Sequence, residues 1–210
     1  MTPSAELHAR FGEIDIYLFD QLLRGRFDAA RTVLDAGCGA GRNLAYLLRA
    51  GFEVYGADRD PAAVDEARRR AAGLAPAERF VVAPVEALPF ADGAMDVVLS
   101  SAVLHFADDE AHFTAMLGEM WRVLRPGGML WARLASSIGI ERGVVPLGGG
   151  RHRLPDGSTR FLVDAASLAA HAAALGAEPL DPVKTTVVQD RRAMTTWCLR
   201  RPGVNGGASR

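Results

Sequence analysis

The chain alternates between short apolar runs and longer segments in which apolar side chains recur every three to four residues. The first pattern is typical of a buried strand and the second of an amphipathic helix. Between residues 31 and 135 the apolar runs are TVLDA, FEVYGAD, RFVVA, AMDVVLSS and MLWARLA, with helical segments between most of them. Strands that alternate with helices at this spacing predict a parallel sheet with helices on both faces.

The flanks of this region have other patterns. Apolar positions over residues 6–24 form two stripes of helical period, which predicts one helix packed between two surfaces. Two short runs around the Pro-Asp-Gly of residues 155–157 predict a hairpin within residues 140–163. An alanine-rich helix over residues 164–175 and two strand-like runs, PVKTTVVQD and AMTTWCLRR, follow.

These patterns predict one α/β domain over residues 1–200. Its sheet is expected to be doubly wound, mostly parallel and seven-stranded, with an antiparallel pair of strands at its C-terminal end. Residues 201–210 have little apolar surface to bury and are predicted to be disordered.

Charge and cysteine content narrow the class of protein. The 210 residues include 24 basic and 25 acidic side chains, so the net charge of −1 favours neither a nucleic acid nor an anionic membrane as a partner. No apolar segment is long enough to be a signal or a membrane span, which predicts a cytoplasmic protein. Cys38 and Cys198 cannot form a disulfide framework and share no metal-ligand spacing with the histidines. Both are expected to be buried fillers.

The most informative residues lie directly after the first strand. LDAGCGAG, residues 34–41, links that strand to a helix, and its glycines let a ligand approach the backbone closely. Doubly wound sheets bind ligands at this position, beyond the carboxyl ends of the strands. Asp58 ends the second strand, where a carboxylate can accept hydrogen bonds from both hydroxyls of an adenosine ribose.

The spacing of the glycines separates two kinds of adenosine cofactor. Dinucleotide sites have the pattern G-x-G-x-x-G, whereas the glycines here occupy positions 37, 39 and 41. Asp35 would lie unfavourably beside a diphosphate, but it suits the ammonium group of a methionine. The loop therefore favours S-adenosylmethionine over NAD.

Four segments resemble, in order and spacing, the successive motifs of class I S-adenosylmethionine-dependent methyltransferases. They are LDAGCGAGRNL, VYGADRDPAAVDEAR, EALPFADGAMDVVLSSAVLHF and RVLRPGGML, and together they cover residues 31–135. The resemblance implies a Rossmann-like fold, S-adenosylmethionine as cofactor, S-adenosylhomocysteine as product and no metal. With the reasoning above, it gives a predicted cofactor-binding set: Asp35, Gly37, Cys38, Gly39, Gly41, Asp58, Arg59, Val85, Glu86 and Ser101.

One position departs from the family pattern. The family often has an aspartate four residues before the Leu-Pro-Phe triplet, where it accepts a hydrogen bond from the adenine amino group. Here that position is Pro84, which offers neither a carboxylate nor an N–H. Either Glu86 substitutes for the aspartate or the amino group is bound by water.

Three side chains are candidates for the methyl-acceptor site, each with a plainer alternative. His105 follows the fourth strand and is predicted as a catalytic base or an acceptor-orienting group, or else as a packing residue. The ring of Tyr17 could cover the cofactor sulfonium or belong to the core. Arg133, on the fifth strand, points either to the mouth of the pocket or to the solvated flank.

The predicted hairpin carries a further candidate. Arg151 and Arg153 occupy alternate strand positions and therefore share a face, with Arg160 on the partner strand. Such a cluster would attract an anionic acceptor; alternatively, it is a solvated surface.

The C-terminal run PVKTTVVQDRRAMTTWCLRR and the RNL after the glycine loop are similar to the tellurite-resistance branch of this family, which methylates thiols and chalcogen oxyanions. Within that resemblance, residues 1–25 would form a lid helix. We therefore expect methyl transfer to a small molecule, with a thiol or chalcogen oxyanion as the leading acceptor class. Two alternatives stay open: a carbon or oxygen acceptor in quinone or natural-product metabolism, and a non-catalytic, cofactor-binding regulatory module.

Overall fold

A mixed β-sheet lies at the centre of the protein. The computed structural model describes residues 2–203. The strands are β1 (Thr32–Ala36), β2 (Glu53–Asp58), β3 (Phe80–Val82), β4 (Met95–Ser101), β5 (Leu124–Ala135), β6 (Val145–Gly148), β7 (Arg151–Arg153), β8 (Thr159–Phe161), β9 (Glu178–Pro179), β10 (Lys184–Val188) and β11 (Arg192–Arg200). The helices are α1 (Pro3–Phe11), α2 (Ile16–Leu23), α3 (Leu44–Arg49), α4 (Pro61–Ala71), α5 (Glu110–Val123) and α6 (Ala165–Ala174).

The order of the strands explains where a ligand can bind. Seven strands follow one another as β10-β11-β5-β4-β1-β2-β3, and the short β9 pairs with β11. Strands β1 to β5 are mutually parallel, whereas β11 runs antiparallel to β5 and β10. This arrangement confirms the predicted doubly wound sheet with an antiparallel C-terminal pair. The strand order reverses beside β1, so the crevice at its carboxyl end is the expected binding position.

Successive residues of the central strands enter two separate hydrophobic cores. Val33 packs with α2, α3 and α4 on one face of the sheet, and Leu34 packs with α5 and α6 on the other. Alternation of this kind follows from the twofold period of a strand, and it explains why the central strands are apolar at consecutive positions. Both faces of the sheet are therefore covered by helices.

The N-terminal segment differs from its prediction. The continuous helix expected over residues 6–24 is two helices, because Gly12 takes a φ of +65° at the end of α1 and Asp15 caps the start of α2. The prediction that both apolar stripes are buried is also wrong. Leu18 is fully buried, but Ile16 and Leu23 on the same helix are 71% and 73% exposed.

Two further differences lie near the C-terminal end. The predicted hairpin is formed by β7 and β8, and β6 extends it to a separate three-stranded antiparallel sheet. Arg201, predicted to begin the disordered tail, instead donates hydrogen bonds to the carbonyl groups of Trp121 and Gly128. The carbonyl of Trp121 is one of those that the last turn of α5 leaves without a partner in the helix. The carbonyl of Gly128 lies beyond the helix, in β5. The rest of the predicted tail, residues 204–210, lies outside the described residues.

Candidate active site

A cavity of about 310 Å³ opens at the carboxyl ends of β1, β2 and β4, within the size range of small-molecule sites. It is formed by the loops that follow these strands, by the turn after β3 and by the first turns of α5. The residues that line it are Gly37, Gly39, Asp58, Arg59, Val85, Glu86, Ser101, Ala102, Val103, Phe106, His112 and Met116. The cavity thus brings together seven of the ten residues predicted to bind the cofactor, and Asp35, Cys38 and Gly41 are the three that do not line it.

The glycine loop forms the floor of the cavity. Gly37 has a φ of +80°, and a Cβ at this position would lie 2.4 Å from a methyl carbon of Val103. Any side chain here would therefore meet both backbone strain and a direct clash. The amides of Gly37 and Cys38 donate to the carbonyl oxygen of Ala57 at 2.8 and 3.0 Å, which ties the loop to the end of β2. The loop leaves room above its backbone for a ligand.

Asp58 holds the loop and still has capacity for a ligand. One carboxylate oxygen accepts a hydrogen bond from the amide of Gly39 at 2.8 Å, and the other accepts from the amide of Asp60 at 3.0 Å. Each oxygen of an ionised carboxylate can accept about two hydrogen bonds. The free acceptor positions at the cavity wall fit the two hydroxyls of an adenosine ribose.

Asp35 and Cys38 lie behind the cavity wall. Both oxygens of the buried Asp35 lack a well-formed hydrogen bond within residues 2–203. Burial raises the pKa of Asp35 to about 7, an effect that nearby Asn43 and Arg42 only partly offset. An ammonium group near the loop would relieve this unfavourable burial. Burial likewise raises the pKa of the Cys38 thiol, and it raises that of Cys198 to about 12, so both cysteines are protonated at neutral pH.

His105 is enclosed by the fold rather than exposed to the cavity. It is 6% exposed, and its Nδ1 accepts a hydrogen bond from the amide of Ala135 at 3.2 Å. The ring proton therefore resides on Nε2. Burial lowers the pKa of His105 to about 4, and the charge of Arg160 adds to that effect. At neutral pH the ring is neutral and offers a donor, which favours packing or orientation over general-base catalysis.

Arg133 belongs to a charged cluster beside the cavity, and the central member of that cluster is Asp15. One oxygen of this buried carboxylate accepts from Nη1 of Arg133 at 2.8 Å and from Nη2 of Arg42 at 3.2 Å. Nη2 of Arg42 is also 2.7 Å from Oγ of the cavity-lining Ser101. Asp15 is not among the residues predicted from the sequence, because its partners lie on β5 and directly after the glycine loop.

Tyr17 lies at this cluster and does not line the cavity. The guanidinium of Arg133 sits over its ring, 4.8 Å from the centroid. Its hydroxyl is 2.5 Å from Oγ1 of Thr186 on β10. The cation over the Tyr17 ring in this structure is therefore the guanidinium of Arg133.

The register of the small sheet shows that Arg160 does not share a face with Arg151 and Arg153, so the three arginines do not form the predicted cluster. His152 pairs with Arg160, and the flanking pairs place Arg151 and Arg153 on the other side of the sheet. Arg151 forms a 3.3 Å ion pair with the exposed Asp108. The guanidinium of Arg160 lies 5.0 Å from the ring centroid of Phe106, which lines the cavity. The hairpin arginine that contacts the cavity wall is thus Arg160.

Two findings concern other kinds of site. Among residues 2–203, no group of three or more His, Cys, Asp and Glu side chains is placed to hold a metal ion. No helix in the same part of the chain is both long enough and apolar enough to cross a membrane.

Comparison with known proteins finds similarity over part of the chain. Residues 34–132 match the family "Methyltransferase domain". The chain is 39% identical over 109 residues to the uncharacterized methyltransferase YodH of Bacillus subtilis, covering 52% of this chain and 42% of that protein. It is 42% identical over 106 residues to the demethylmenaquinone methyltransferase of Thermus thermophilus, covering 49% and 46%. The chain thus spans less than half the length of these two relatives.

A solved structure supports the fold over a longer stretch. The 1,6-didemethyltoxoflavin-N1-methyltransferase of Burkholderia thailandensis, solved with its substrate and S-adenosylhomocysteine, matches with a TM-score of 0.68. The match covers 91% of this chain and 80% of that one at 21% identity, so it bears on the fold alone. The fold, the glycine loop and the family match agree. The chain therefore has the Rossmann-like fold of methyltransferases, and its residues 34–132 match the methyltransferase domain family.

Proposed function

We propose that this protein transfers a methyl group from S-adenosylmethionine to a small molecule. The observation that carries the proposal is the cavity at the carboxyl ends of β1, β2 and β4, with the glycine loop as its floor and Asp58 in its wall. When bound, the cofactor supplies a methyl group activated on a sulfonium sulfur and leaves as the neutral thioether S-adenosylhomocysteine.

The chain's own residues have binding and positioning roles in this proposal. The Asp58 carboxylate accepts hydrogen bonds from the ribose hydroxyls, and Val85 packs against the adenine. Ser101 lies where the methionine part is expected. Because the methyl group is already activated, correct placement of the acceptor can provide most of the rate. A catalytic base is needed only if the acceptor binds in its protonated form.

The acceptor is proposed to be a small anionic molecule. Arg160 lies over Phe106 at the cavity, and within residues 2–203 it has no carboxylate within ion-pair distance. A guanidinium with unused donors suits an anionic group such as an oxyanion. Thiols and chalcogen oxyanions are therefore the first acceptors to test, because a thiolate or an oxyanion presents a negatively charged nucleophile that needs no base once it is deprotonated.

A second candidate class has its own support. The Thermus relative is named for demethylmenaquinone, and the Burkholderia structure contains 1,6-didemethyltoxoflavin. Phe106 is half-exposed at the cavity, and its ring could stack against a planar aromatic acceptor. Carbon, oxygen or nitrogen acceptors on such rings form the alternative.

The deciding experiment is incubation with methyl-labelled S-adenosylmethionine and a panel of thiols, chalcogen oxyanions and quinone-like phenols, followed by mass spectrometry. We expect label in one acceptor class with wild-type protein and much less with Asp58→Ala when the cofactor concentration is limiting. Binding of S-adenosylhomocysteine without transfer to any acceptor would instead support a regulatory module. Absence of both binding and transfer would refute the proposal.

A further inference from the structure

The histidines near the cavity differ in which ring nitrogen is free. His105 accepts the amide of Ala135 through Nδ1, so its proton is on Nε2. His112 accepts the amide of Asp108 through Nδ1 at 3.2 Å, and its Nε2 lies 3.4 Å from a carboxylate oxygen of Glu86. While they are neutral, neither of these two rings offers an unprotonated nitrogen to a ligand.

His152 has the opposite arrangement. It lies at the centre of β7, and its Nδ1 is 3.0 Å from the carbonyl oxygen of Gly150. A carbonyl oxygen can only accept a hydrogen bond, so Nδ1 carries the ring proton and Nε2 keeps its lone pair. The side chain is half-buried, and within residues 2–203 its Nε2 makes no hydrogen bond. A neutral His152 is thus a proton acceptor, held in one tautomer by the backbone just before its own strand.

The small sheet places His152 beside the hairpin arginine of the cavity wall. His152 and Arg160 pair across β7 and β8, so their side chains share a face, with Cβ atoms about 4.5–5.5 Å apart. From that position the guanidinium of Arg160 reaches the ring of Phe106. On its other side His152 pairs with Pro146 of β6. An acceptor held against Phe106 by Arg160 therefore lies next to the His152 ring.

The charges around His152 leave its ring without a fixed ionic partner. Arg160 faces it from β8, and at the turn that joins β7 and β8 Asp156 is paired with Arg192 at 3.3 Å. The two arginines that flank His152 in β7 project from the opposite face of the sheet. Within residues 2–203 no carboxylate lies within ion-pair distance of the ring. A proton that the ring accepts is thus not held in an ion pair and can pass on to water.

We propose that His152 is the base that removes the proton from a thiol acceptor bound between Phe106 and Arg160. This inference rests on the proposed function, because it concerns the acceptor of the same cavity. The S–H bond of the thiol breaks as its proton passes to Nε2, directly or through one water. The freed electron pair forms the bond to the methyl carbon, and the pair of the broken methyl–sulfonium bond stays on the cofactor's sulfur. The products are a methyl thioether, S-adenosylhomocysteine and an imidazolium, which releases its proton to water.

The test compares two thiols that both carry a ring for Phe106 and a carboxylate for Arg160 but differ in acidity. The thiol of 4-(sulfanylmethyl)benzoate is mostly protonated at neutral pH, whereas the nitro group of 2-nitro-5-sulfanylbenzoate keeps its thiol ionised. Wild-type protein with S-adenosylmethionine should methylate both. His152→Gln should lower kcat for the protonated thiol by about a hundredfold, the lower end of what a general base provides, and leave kcat for the ionised thiol nearly unchanged.

The pH profile separates a base from a structural residue. With the protonated thiol, the wild-type rate should fall as the pH drops through the range in which imidazoles take up a proton. His152→Gln should lose this fall, and its rate should instead rise at alkaline pH as the thiol itself ionises. Arg153→Gln is the matched control: it changes the next residue of the same strand on the opposite face, so the wild-type rates should be kept with both thiols.

The ionised thiol also reports on folding, because a variant that methylates it normally is folded and binds the cofactor. Nitrogen NMR of the imidazole rings gives a readout that does not depend on activity, since it shows whether the His152 proton is on Nδ1. A loss confined to the protonated thiol, together with a proton on Nδ1, is the expected result.

The other outcomes overturn the proposal at two different levels. No loss with the protonated thiol, equal losses with both thiols, an unchanged pH profile or a proton on Nε2 would each refute the role of His152. If wild-type protein binds S-adenosylhomocysteine but methylates neither thiol, thiols are not its acceptors, and the base inferred for them is refuted as well. If it does not bind S-adenosylhomocysteine, the proposed function itself fails.

Discussion

Asp15, in the link between α1 and α2, accepts a 2.8 Å hydrogen bond from Arg133 at the carboxyl end of β5, 118 residues further along the chain. The Asp15 side chain is only 2% exposed. The same carboxylate also caps α2 through the amide of Tyr17. A single buried charge therefore fixes the start of α2 and attaches the N-terminal segment to the edge of the sheet that carries the cavity.

Replacing Asp15 by Ala should destabilise the protein by about 2–4 kcal/mol, because it leaves two guanidinium groups without their buried partner and removes a helix cap. The free energy of unfolding in urea measures this change. Asp20→Asn is a matched control: Asp20 pairs with Arg24 at the surface, so its loss should cost less than about 1 kcal/mol. Equal effects of the two substitutions would contradict a special role for Asp15.

The same Asp15→Ala protein tests the lid hypothesis, which predicts that methyl transfer falls more than cofactor binding does.

Asp58→Ala should weaken binding of S-adenosylhomocysteine by about 1.5–3 kcal/mol, since hydrogen bonds between a carboxylate and the ribose hydroxyls are lost. Calorimetry gives the affinity directly, and NAD is expected not to bind. Asp60→Ala serves as the control, because Asp60 caps α4 and does not line the cavity. It should lower stability modestly and leave the affinity unchanged. Tight NAD binding, or an Asp58 variant with wild-type affinity, would remove the basis for the cofactor site.

Arg160→Gln should raise the KM of an anionic acceptor several-fold while changing kcat little, because the guanidinium acts on binding at the cavity wall. The KM of the wild-type enzyme should rise with salt, as expected for an exposed charge, and this dependence should weaken in the variant. Arg153→Gln is the matched control, since Arg153 is exposed and faces the other side of the small sheet. If both variants respond alike, the effect is one of general surface charge and the acceptor is held elsewhere.

His105 should make the protein less stable in weak acid. Its folded-state pKa of about 4 lies below its ordinary value of 6.5, so the unfolded chain binds a proton more readily. The contribution to stability is complete above pH 6.5 and is lost as the pH falls toward 4, by at most about 3 kcal/mol. Asp35 acts in the opposite sense over the same window, because its raised pKa favours the protonated folded state.

The difference between variants isolates the His105 contribution. His105→Asn keeps an acceptor for the Ala135 amide but cannot titrate. The difference in free energy of unfolding between the variant and the wild type should therefore increase, in favour of the variant, as the pH falls from 6.5 to 4.5. Parallel pH profiles for the two proteins would show that His105 is not held neutral by the fold.

The predictable part of the site comprises residues whose partners are close in sequence. The glycine loop and Asp58 end neighbouring strands, so their convergence follows from the alternating pattern alone. The contact of Arg160 with Phe106 depends on the register of β7 and β8, which no local pattern specifies. His112 was missed for a similar reason, since its partner Glu86 belongs to a different segment and its spacing in α5 is that of an ordinary surface residue.

The N-terminal helix shows the limit of periodicity as a signal. Two apolar stripes continue through Gly12 without interruption, and the helix break is visible only from the positive φ of that glycine. Ile16 and Leu23 keep the helical period but are mostly exposed within residues 2–203. Periodicity reports which side chains can share a face, and the surroundings decide whether that face is buried.

The hydrogen bonds of Asp58 to Gly39 and Asp60 hold the cavity floor through groups of the chain itself and need no ligand. The loop does not have to become ordered when the cofactor binds, so little conformational entropy is lost at that step. Association should then be limited mainly by diffusion and access, and exchange of product for fresh cofactor should need no rearrangement of the glycine loop. Any slow step in turnover would have to arise elsewhere in the chain.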